Sequence, residues 1–220
     1  VMIYNGVKSG HPDEIAIDIC LQLLSNTSGT GLLDKQTING DLLGGSAQML
    51  SFREQGRNIV MGVPYYDEGQ RRFESNKSVE KKLLSSVQQI AAGEFESWVV
   101  DAIKVNLCRD FDLQMESNDF KAQLLMNAFI NEEDLNRVLN FKDEVMSVSL
   151  DDIKRVAKEY LTDNYIVIFN ERGKPAKSEK IKKPGYKPIE PPVGQSSLYA
   201  QQFRNMATGK VEEKFVDLSK

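Results

Sequence analysis

The sequence predicts an α+β fold, in which a mixed, largely antiparallel sheet packs on several helices. One observation is the order of the predicted elements: a strand, a helix, two strands, several helices and a last strand. This order lacks the regular alternation of strand and helix that a doubly wound sheet requires. A second observation is that residues 42–52 and 58–66 are two strand-like runs joined by a short turn, which predicts a hairpin.

The first elements are predicted from the apolar pattern of the opening residues. Residues 1–4 suggest a strand, and Pro12 then occupies a first helical position. From 15 to 24 every residue is apolar except Asp18 and Gln22, which are four apart and share one narrow stripe. This pattern predicts a core helix that is buried nearly all round.

The middle of the chain is predicted to be mostly helical. Residues 32–38 suggest a short helix. Apolar residues at helical spacing predict two successive amphipathic helices over residues 79–91 and 95–103. Helical character continues over residues 119–129 and 132–146.

The end of the predicted domain is marked by a helix and a strand. Ser149 and Asp152 form a capping-box pattern ahead of an amphipathic helix over residues 153–161. Residues 165–169 are all β-branched or aromatic, which is typical of a central strand. We therefore expect one compact domain over residues 1–170.

Residues 171–220 predict an extended linker toward a further domain, because prolines and lysines dominate its first part. Five of the chain's seven prolines lie there, namely Pro175, Pro184, Pro188, Pro191 and Pro192. The accompanying lysines are Lys174, Lys177, Lys180, Lys182, Lys183 and Lys187. A short helix over residues 197–206 and the run 214–218 are expected to follow.

The composition excludes several classes of protein. Hydrophobic residues make up 40% and charged residues 27% of 220, as in ordinary globular proteins. No stretch approaches the roughly 20 apolar residues of a membrane span, so we expect no membrane-embedded role. The net charge of -4 and the pI near 5.3 argue against a nucleic-acid partner. Val1 begins inside a strand-like run without a charged leader or apolar signal core, which predicts a segment of a longer chain.

The sequence offers no catalytic or metal-binding motif. A helical zinc-peptidase site needs two histidines, as in His-Glu-x-x-His or His-x-x-Glu-His, and this chain has only His11. Cys20 and Cys108 suggest small buried hydrophobes rather than a disulfide or a metal site. Gly44-Gly45-Ser46-Ala47 lacks the second glycine of a nucleophile elbow. We therefore predict that this segment holds no cofactor and is not an enzyme by itself.

Several segments nevertheless resemble the pitrilysin and insulinase family of zinc metallopeptidases. Residues 23–33, Leu-Leu-Ser-Asn-Thr-Ser-Gly-Thr-Gly-Leu-Leu, are similar to the loop after the first helix of insulinase-like domains. The likeness continues with Gly93-Glu94-Phe95 ahead of a helix, and residues 149–161 and 164–169 are similar to the closing helix and strand. The resemblance covers residues 1–169, and the tail resembles the connector between the two halves of the family's longer members.

This resemblance implies the second, non-catalytic domain of a longer zinc metallopeptidase, with a fold like that of LuxS and mitochondrial processing peptidase. In long members of the family the first domain holds zinc, and the other domains complete a closed chamber around an unfolded peptide. Zinc is thus expected in an upstream domain. The implied partners are the other domains of the same polypeptide and extended peptide substrates, with no nucleic acid and no membrane.

Two alternatives stay open at this point. The chain is either a structural or scaffold domain of the same fold without peptidase activity, or another α+β interaction module. The bacterial periplasm and the cytoplasm are both compatible with the resemblance.

The resemblance also implies a peptide-binding exosite, where an extended segment of a substrate adds as a strand to a sheet edge. The matching positions are Ser25, Asn26 and Thr27 in a loop, and Leu42, Leu43, Gly44 and Gly45 at the start of a strand. A glycine-lined strand suits this role because bare backbone lets another chain approach and form hydrogen bonds. The same glycines also fit a bulge or a tight bend without any role in binding.

Overall fold

The computed structural model describes residues 1–69, 71–171, 173, 185 and 196–205. The strands are β1 (Met2–Gly6), β2 (Leu42–Leu50), β3 (Gly56–Pro64), β4 (Tyr66–Asp67), β5 (Arg72–Phe73) and β6 (Tyr165–Val167). The helices are α1 (Glu14–Leu24), α2 (Leu32–Ile38), α3 (Asn76–Ala92), α4 (Ser97–Gln114), α5 (Asn118–Asn131), α6 (Leu135–Leu139), α7 (Phe141–Ser147), α8 (Leu150–Tyr160) and α9 (Leu198–Asn205).

A four-stranded sheet in the order β2-β3-β1-β6 forms one layer of the fold, and its neighbouring strands are all antiparallel. The register aligns Ala47, Val60, Met2 and Val167 in one row across the sheet. Met2 and Val60 are fully buried in a core that includes residues of α1, α3 and α8. The predicted α+β class is therefore confirmed.

Helix α1 is the buried element that its apolar pattern predicts. All of its residues are buried except Glu14, Asp18 and Gln22, which lie on the one face that is directed away from the core. Gln22 Nε2 donates a hydrogen bond of 3.1 Å to Asp18 Oδ2, so the two polar residues of the predicted stripe are joined. Cys20 is a free, buried thiol, and burial raises its pKa to about 12.

Helix α8 begins where the capping pattern predicts. The Asp152 backbone N–H donates to Ser149 Oγ at 3.1 Å, and the Ser149 backbone N–H donates to Asp152 Oδ2 at 3.0 Å. These two bonds satisfy backbone donors that the first turn of a helix leaves without partners. The apolar face of α8 is then buried against α1 and α3.

The predicted central position of the last strand is wrong. Strand β6 pairs only with β1 and forms one edge of the sheet among the described residues. Its length is three residues rather than five, although the Ile168 backbone N–H still donates to the Val1 carbonyl at 2.8 Å. Ile166 points to the uncovered face and is 68% exposed. An apolar run of this kind indicates one buried face and does not reveal how many neighbours the strand has.

Two local features also differ from the prediction. The helical pattern over residues 132–146 is divided, because Asn140 ends α6 and also precedes α7. Glu132 has a left-handed backbone conformation, which ends α5. Asp134 then accepts a hydrogen bond from the Asn136 backbone N–H at 2.9 Å and caps the start of α6. The pair β4 and β5, with two residues in each strand, was not predicted, because such short strands have no measurable apolar period.

The chain divides into two compact units, Val1–Arg172 and Gly173–Lys220. In the second unit the structure describes α9, close to the short helix that was predicted there. The proline- and lysine-rich segment and the run 214–218 lie outside the described residues, so the assignment of residues 171–220 as a linker stays a prediction. Within the described part of the chain, no helix is long and apolar enough to cross a membrane.

Candidate functional site

Strand β2 forms an open edge of the sheet, and it contains four of the residues predicted to bind peptide. Among the described residues its only sheet neighbour is β3. Its pairing starts with Leu42 opposite Pro64 and resumes with Gly44 opposite Val63, so Leu43 forms a bulge. Leu42 is only 1% exposed and faces the core, whereas Leu43 is 60% exposed. Leu43 and the backbone beside it are therefore the accessible parts of this strand start.

The predicted loop lies directly beside this strand. Ser25 Oγ donates a hydrogen bond of 3.4 Å to the carbonyl oxygen of Gly45. Asn26 Nδ2 closes the loop on itself through bonds of 2.9 Å to the Gln22 carbonyl and 3.0 Å to Thr30 Oγ1. Thr27 lies exposed in the same loop. The structure thus brings the two predicted segments together at one end of the open edge.

One carboxylate, that of Asp34, holds this loop in place. It accepts hydrogen bonds from Ser25 Oγ at 2.9 Å, from the Asn26 backbone N–H at 3.0 Å and from the Gly31 backbone N–H at 2.9 Å. Asp34 lies in the first turn of α2, where a negative charge is also favoured by the helix dipole. Asp34 is not among the residues predicted to form the site, although an acidic residue three positions after a helix N-cap is a capping signal.

The two adjacent glycines of β2 have different surroundings. A Cβ added to Gly45 would lie 2.8 Å from Leu33 Cβ, a contact that side chains essentially never make. Gly45 is therefore required for the close packing of α2 on the sheet. A Cβ added to Gly44 would meet only Val63 Cγ2 at 3.8 Å, which is an ordinary contact. Packing thus explains one glycine and leaves the other without a structural requirement.

His11 takes part in the local structure at the start of α1. The Asp13 backbone N–H donates to His11 Nδ1 at 3.1 Å. Asp13 in turn accepts hydrogen bonds from Arg155 at 2.5 Å and from Tyr160 at 2.8 Å, and these contacts hold the pKa of Asp13 below its ordinary value. Residues 1–69 and 71–171, with the few described residues beyond them, contain no group of three or more His, Cys, Asp or Glu that could hold a metal ion.

A cavity of about 460 Å³ lies on the helical side of the domain. Its walls include apolar side chains from five helices and β2, among them Met49, Leu107, Phe111, Phe120 and Phe141. Five carboxylates and one guanidinium also line it. Asp18 is one of these carboxylates, and burial raises its pKa to about 6. The sequence indicated Asp18 only as part of a polar stripe, because the helices that form the other walls are distant in sequence.

The raised pKa of Asp18 predicts a stability that falls as pH rises. The folded protein keeps a proton on Asp18 up to about pH 6, whereas the unfolded chain releases it near 3.8, so the free energy of unfolding decreases between these values. We expect Asp18→Asn to raise the free energy of unfolding by about 1 to 2 kcal/mol at about pH 7.5 and to change it little at about pH 4. Urea denaturation at both pH values measures the difference.

The control for this experiment is Asp101→Asn, since Asp101 is exposed on α4. That variant is expected to show the same small effect at both pH values. An equal gain in stability for Asp18→Asn at both pH values would contradict the assignment of the raised pKa to Asp18.

Comparison with known proteins shows that the chain is similar to zinc proteases and to inactive domains of such proteases. No family model matches it. The chain is 20% identical over 153 residues to PqqE, a zinc protease of Helicobacter pylori, in a match covering 70% of the chain and 33% of that protein. A solved structure of a protease from Helicobacter pylori is 19% identical with a TM-score of 0.64, covering 74% of this chain and 38% of that one.

Two further solved structures are of inactive domains. The inactive peptidase domain of a candidate zinc protease from Bordetella parapertussis is 16% identical with a TM-score of 0.62, and the match covers 75% of this chain and 87% of that one. A peptidase M16 inactive domain from Pseudomonas fluorescens is 13% identical with a TM-score of 0.59, covering 73% and 37%.

The chain therefore has the fold of the inactive domains of pitrilysin-like zinc proteases, which confirms the resemblance predicted from its sequence. It spans about a third of the length of the curated relative it matches. Two of the similar solved structures are of domains that are named inactive.

Proposed function

We propose that this chain is a non-catalytic domain of a zinc metallopeptidase, that it helps to enclose unfolded peptides, and that it holds an extended peptide along β2. The likeness to domains named inactive supports the first part. In this proposal the zinc ion belongs to another domain of the same polypeptide, and the other domains are the partners that complete the enclosure. The likeness to a zinc protease of Helicobacter pylori supports that assignment.

The open edge of β2 at Gly44 is the observation that carries the peptide-binding part. Alternate residues of an edge strand direct their backbone N–H and C=O groups away from the sheet, where a second chain can pair with them. Gly44 adds no side chain that would screen these groups, and its environment does not require a glycine. The loop of residues 25–31, called the Ser25 loop below, contacts Gly45, the next residue of the strand, and limits how far a bound peptide can extend at this end.

Gly44→Val is expected to weaken the binding of an extended peptide while the fold persists. The probe is a fluorescently labelled, end-capped peptide of alternating threonine and valine, measured by anisotropy. A β-branched side chain fits a strand but screens its backbone, so we expect the dissociation constant to rise about tenfold, equivalent to about 1.4 kcal/mol. Gly44→Ala is the matched control, since its single methyl group has ordinary contacts, and we expect a smaller loss.

Changes to the peptide provide a second control. N-methylation of one alternate set of backbone amides removes the groups that would pair with β2, whereas methylation of the other set leaves those groups intact. Strand addition predicts that only one of these two peptides loses binding. Equal binding of both, or unchanged binding in Gly44→Val, would remove the strand-addition proposal.

The alternative is a scaffold domain of the same fold, which would show no affinity for extended peptides. Absence of peptide binding in the wild-type chain, with the fold verified by circular dichroism, would favour that reading. Peptidase activity of the isolated chain, or stoichiometric zinc bound to it, would contradict a non-catalytic domain.

A further inference from the structure

The cavity on the helical side of the domain has the size and lining of a ligand site. Its volume of about 460 Å³ falls within the range of about 300 to 1,000 Å³ that small-molecule sites occupy. Phe111 and Phe120 contact each other edge to face, and Phe141 lies against Phe111, so three aromatic rings form a continuous apolar wall. Asp18 of α1 is part of the same lining.

Most of the charges around the cavity already have partners. Arg137 donates to Glu14 at 3.2 Å and to Glu144 at 3.0 Å, so one guanidinium bridges two carboxylates. Ser9 Oγ donates to Glu133. These groups come from α1, the segment before α6, α6 and α7, and they form a network within the protein.

Asp18 differs because it has no cationic partner among the described residues. It accepts a hydrogen bond only from Gln22 Nε2, at 3.1 Å, which leaves Asp18 Oδ1 without a protein donor in the described part of the chain. Asp110, the remaining carboxylate of the lining, is contacted by the neighbouring Arg109 at 3.1 Å. The cavity thus carries an excess of negative charge beside an apolar wall.

We propose that this cavity binds an ammonium or guanidinium group carried on an apolar stem, with Asp18 as the carboxylate that receives the charge. The stem would lie against the aromatic wall, where its burial is favourable, and the cation would donate to Asp18 Oδ1. A neutral ligand of the same shape would offer Asp18 at most an uncharged hydrogen-bond donor, which is weaker than a charged one. The cavity therefore selects for charge as well as for shape.

The energetics of Asp18 support a binding role. A partly buried carboxylate without a cation destabilises a fold, which is consistent with the raised pKa of this group. An asparagine or an apolar residue would serve the packing of α1 with a smaller cost. A bound cation offsets the cost of burying the charged carboxylate, so Asp18 is stabilised when the ligand is present.

Two sources can supply this chemistry, a small free amine and a lysine or arginine side chain of a peptide. Met49 of β2 contributes to the cavity lining, which connects the cavity to the inner face of the edge strand. The peptide source rests on the proposed strand addition, and the free amine does not. The two sources are separated by experiment.

The free-amine test compares n-pentylamine with n-pentanol, which has a similar shape but no charge, by titration observed with NMR. We expect n-pentylamine to bind at least about tenfold more tightly, and Asp18→Asn to abolish that difference. Asp101→Asn, which removes an exposed carboxylate of α4, is expected to leave it unchanged.

The peptide test uses two copies of the threonine and valine peptide, one with a lysine and one with norleucine at the same position. A lysine preference that is lost in Asp18→Asn and kept in Gly44→Val assigns the cation to a peptide side chain. If Gly44→Val weakens the binding of both peptides equally, the result concerns strand addition and not the cation site. The failure of one proposal can therefore be distinguished from the failure of the other. The cavity proposal is overturned if neither n-pentylamine nor the lysine peptide shows a preference that depends on Asp18.

Discussion

Replacing Asp34 with alanine is expected to lower the free energy of unfolding by about 3 kcal/mol. The substitution removes three hydrogen bonds to one carboxylate, from Ser25 Oγ and from the backbone N–H groups of Asn26 and Gly31. Both backbone donors lie in a partly buried turn, where an unpaired donor is costly. Urea denaturation monitored by circular dichroism measures the loss.

The control for this variant is Asp41→Ala, because Asp41 is exposed just after α2 and its side chain holds no loop. We expect its effect to lie within about 0.5 kcal/mol. Asp34→Ala should also weaken peptide binding, since the Ser25 loop would no longer be fixed beside Gly45. A stability loss no larger than that of the control would show that Asp34 does not hold the loop.

Gly45→Val is expected to destabilise the fold by about 3 kcal/mol, whereas Gly44→Val should change stability by less than about 1 kcal/mol. The first substitution forces a side chain against Leu33, which is fully buried and belongs to a helix with little freedom to move. The second adds its side chain where only Val63 is near. Thermal denaturation of the two variants in parallel makes the comparison direct.

Similar losses for both variants would mean that the sheet needs both glycines for packing. The bulge at Leu43 and the approach of α2 would then explain the whole glycine pair, and the case for a binding role at this edge would fail. A clear separation instead makes Gly44→Val a valid probe of binding, because its effect on peptides could not be attributed to a damaged fold.

Most helices follow from local patterns in the chain. The apolar run of α1, the periodicity of α3 and α4 and the capping residues of α8 all act within one or two turns, so they are visible in sequence. Gly93 ends α3 in the left-handed region, as a glycine after a periodic segment indicates. The break at Asn140 was not evident, because apolar residues keep nearly helical spacing on both sides of it.

Features that depend on distant neighbours could not be predicted in the same way. The order of strands decides whether an apolar strand is central or at an edge, and the run around Ile166 contains no information about that order. The candidate exosite was identified only through the family resemblance, and the structure adds the contact of Ser25 with Gly45. The cavity is lined by residues of α1 and of four later helices, and no local pattern of Asp18 and Gln22 reveals which distant helices lie beside them.

The closure of the sheet by β6 has a consequence for folding during synthesis. The Val1 nitrogen donates to the Ile168 carbonyl across a separation of 167 residues, so this pairing can form only after residues 165–168 have been made. Contacts of such separation form slowly, because a long loop must close first. Until then β1 has β3 as its neighbour and an unpaired second edge, which any other nascent strand can join. We therefore expect this edge of β1 to stay open to other strands until residues 165–168 have left the ribosome.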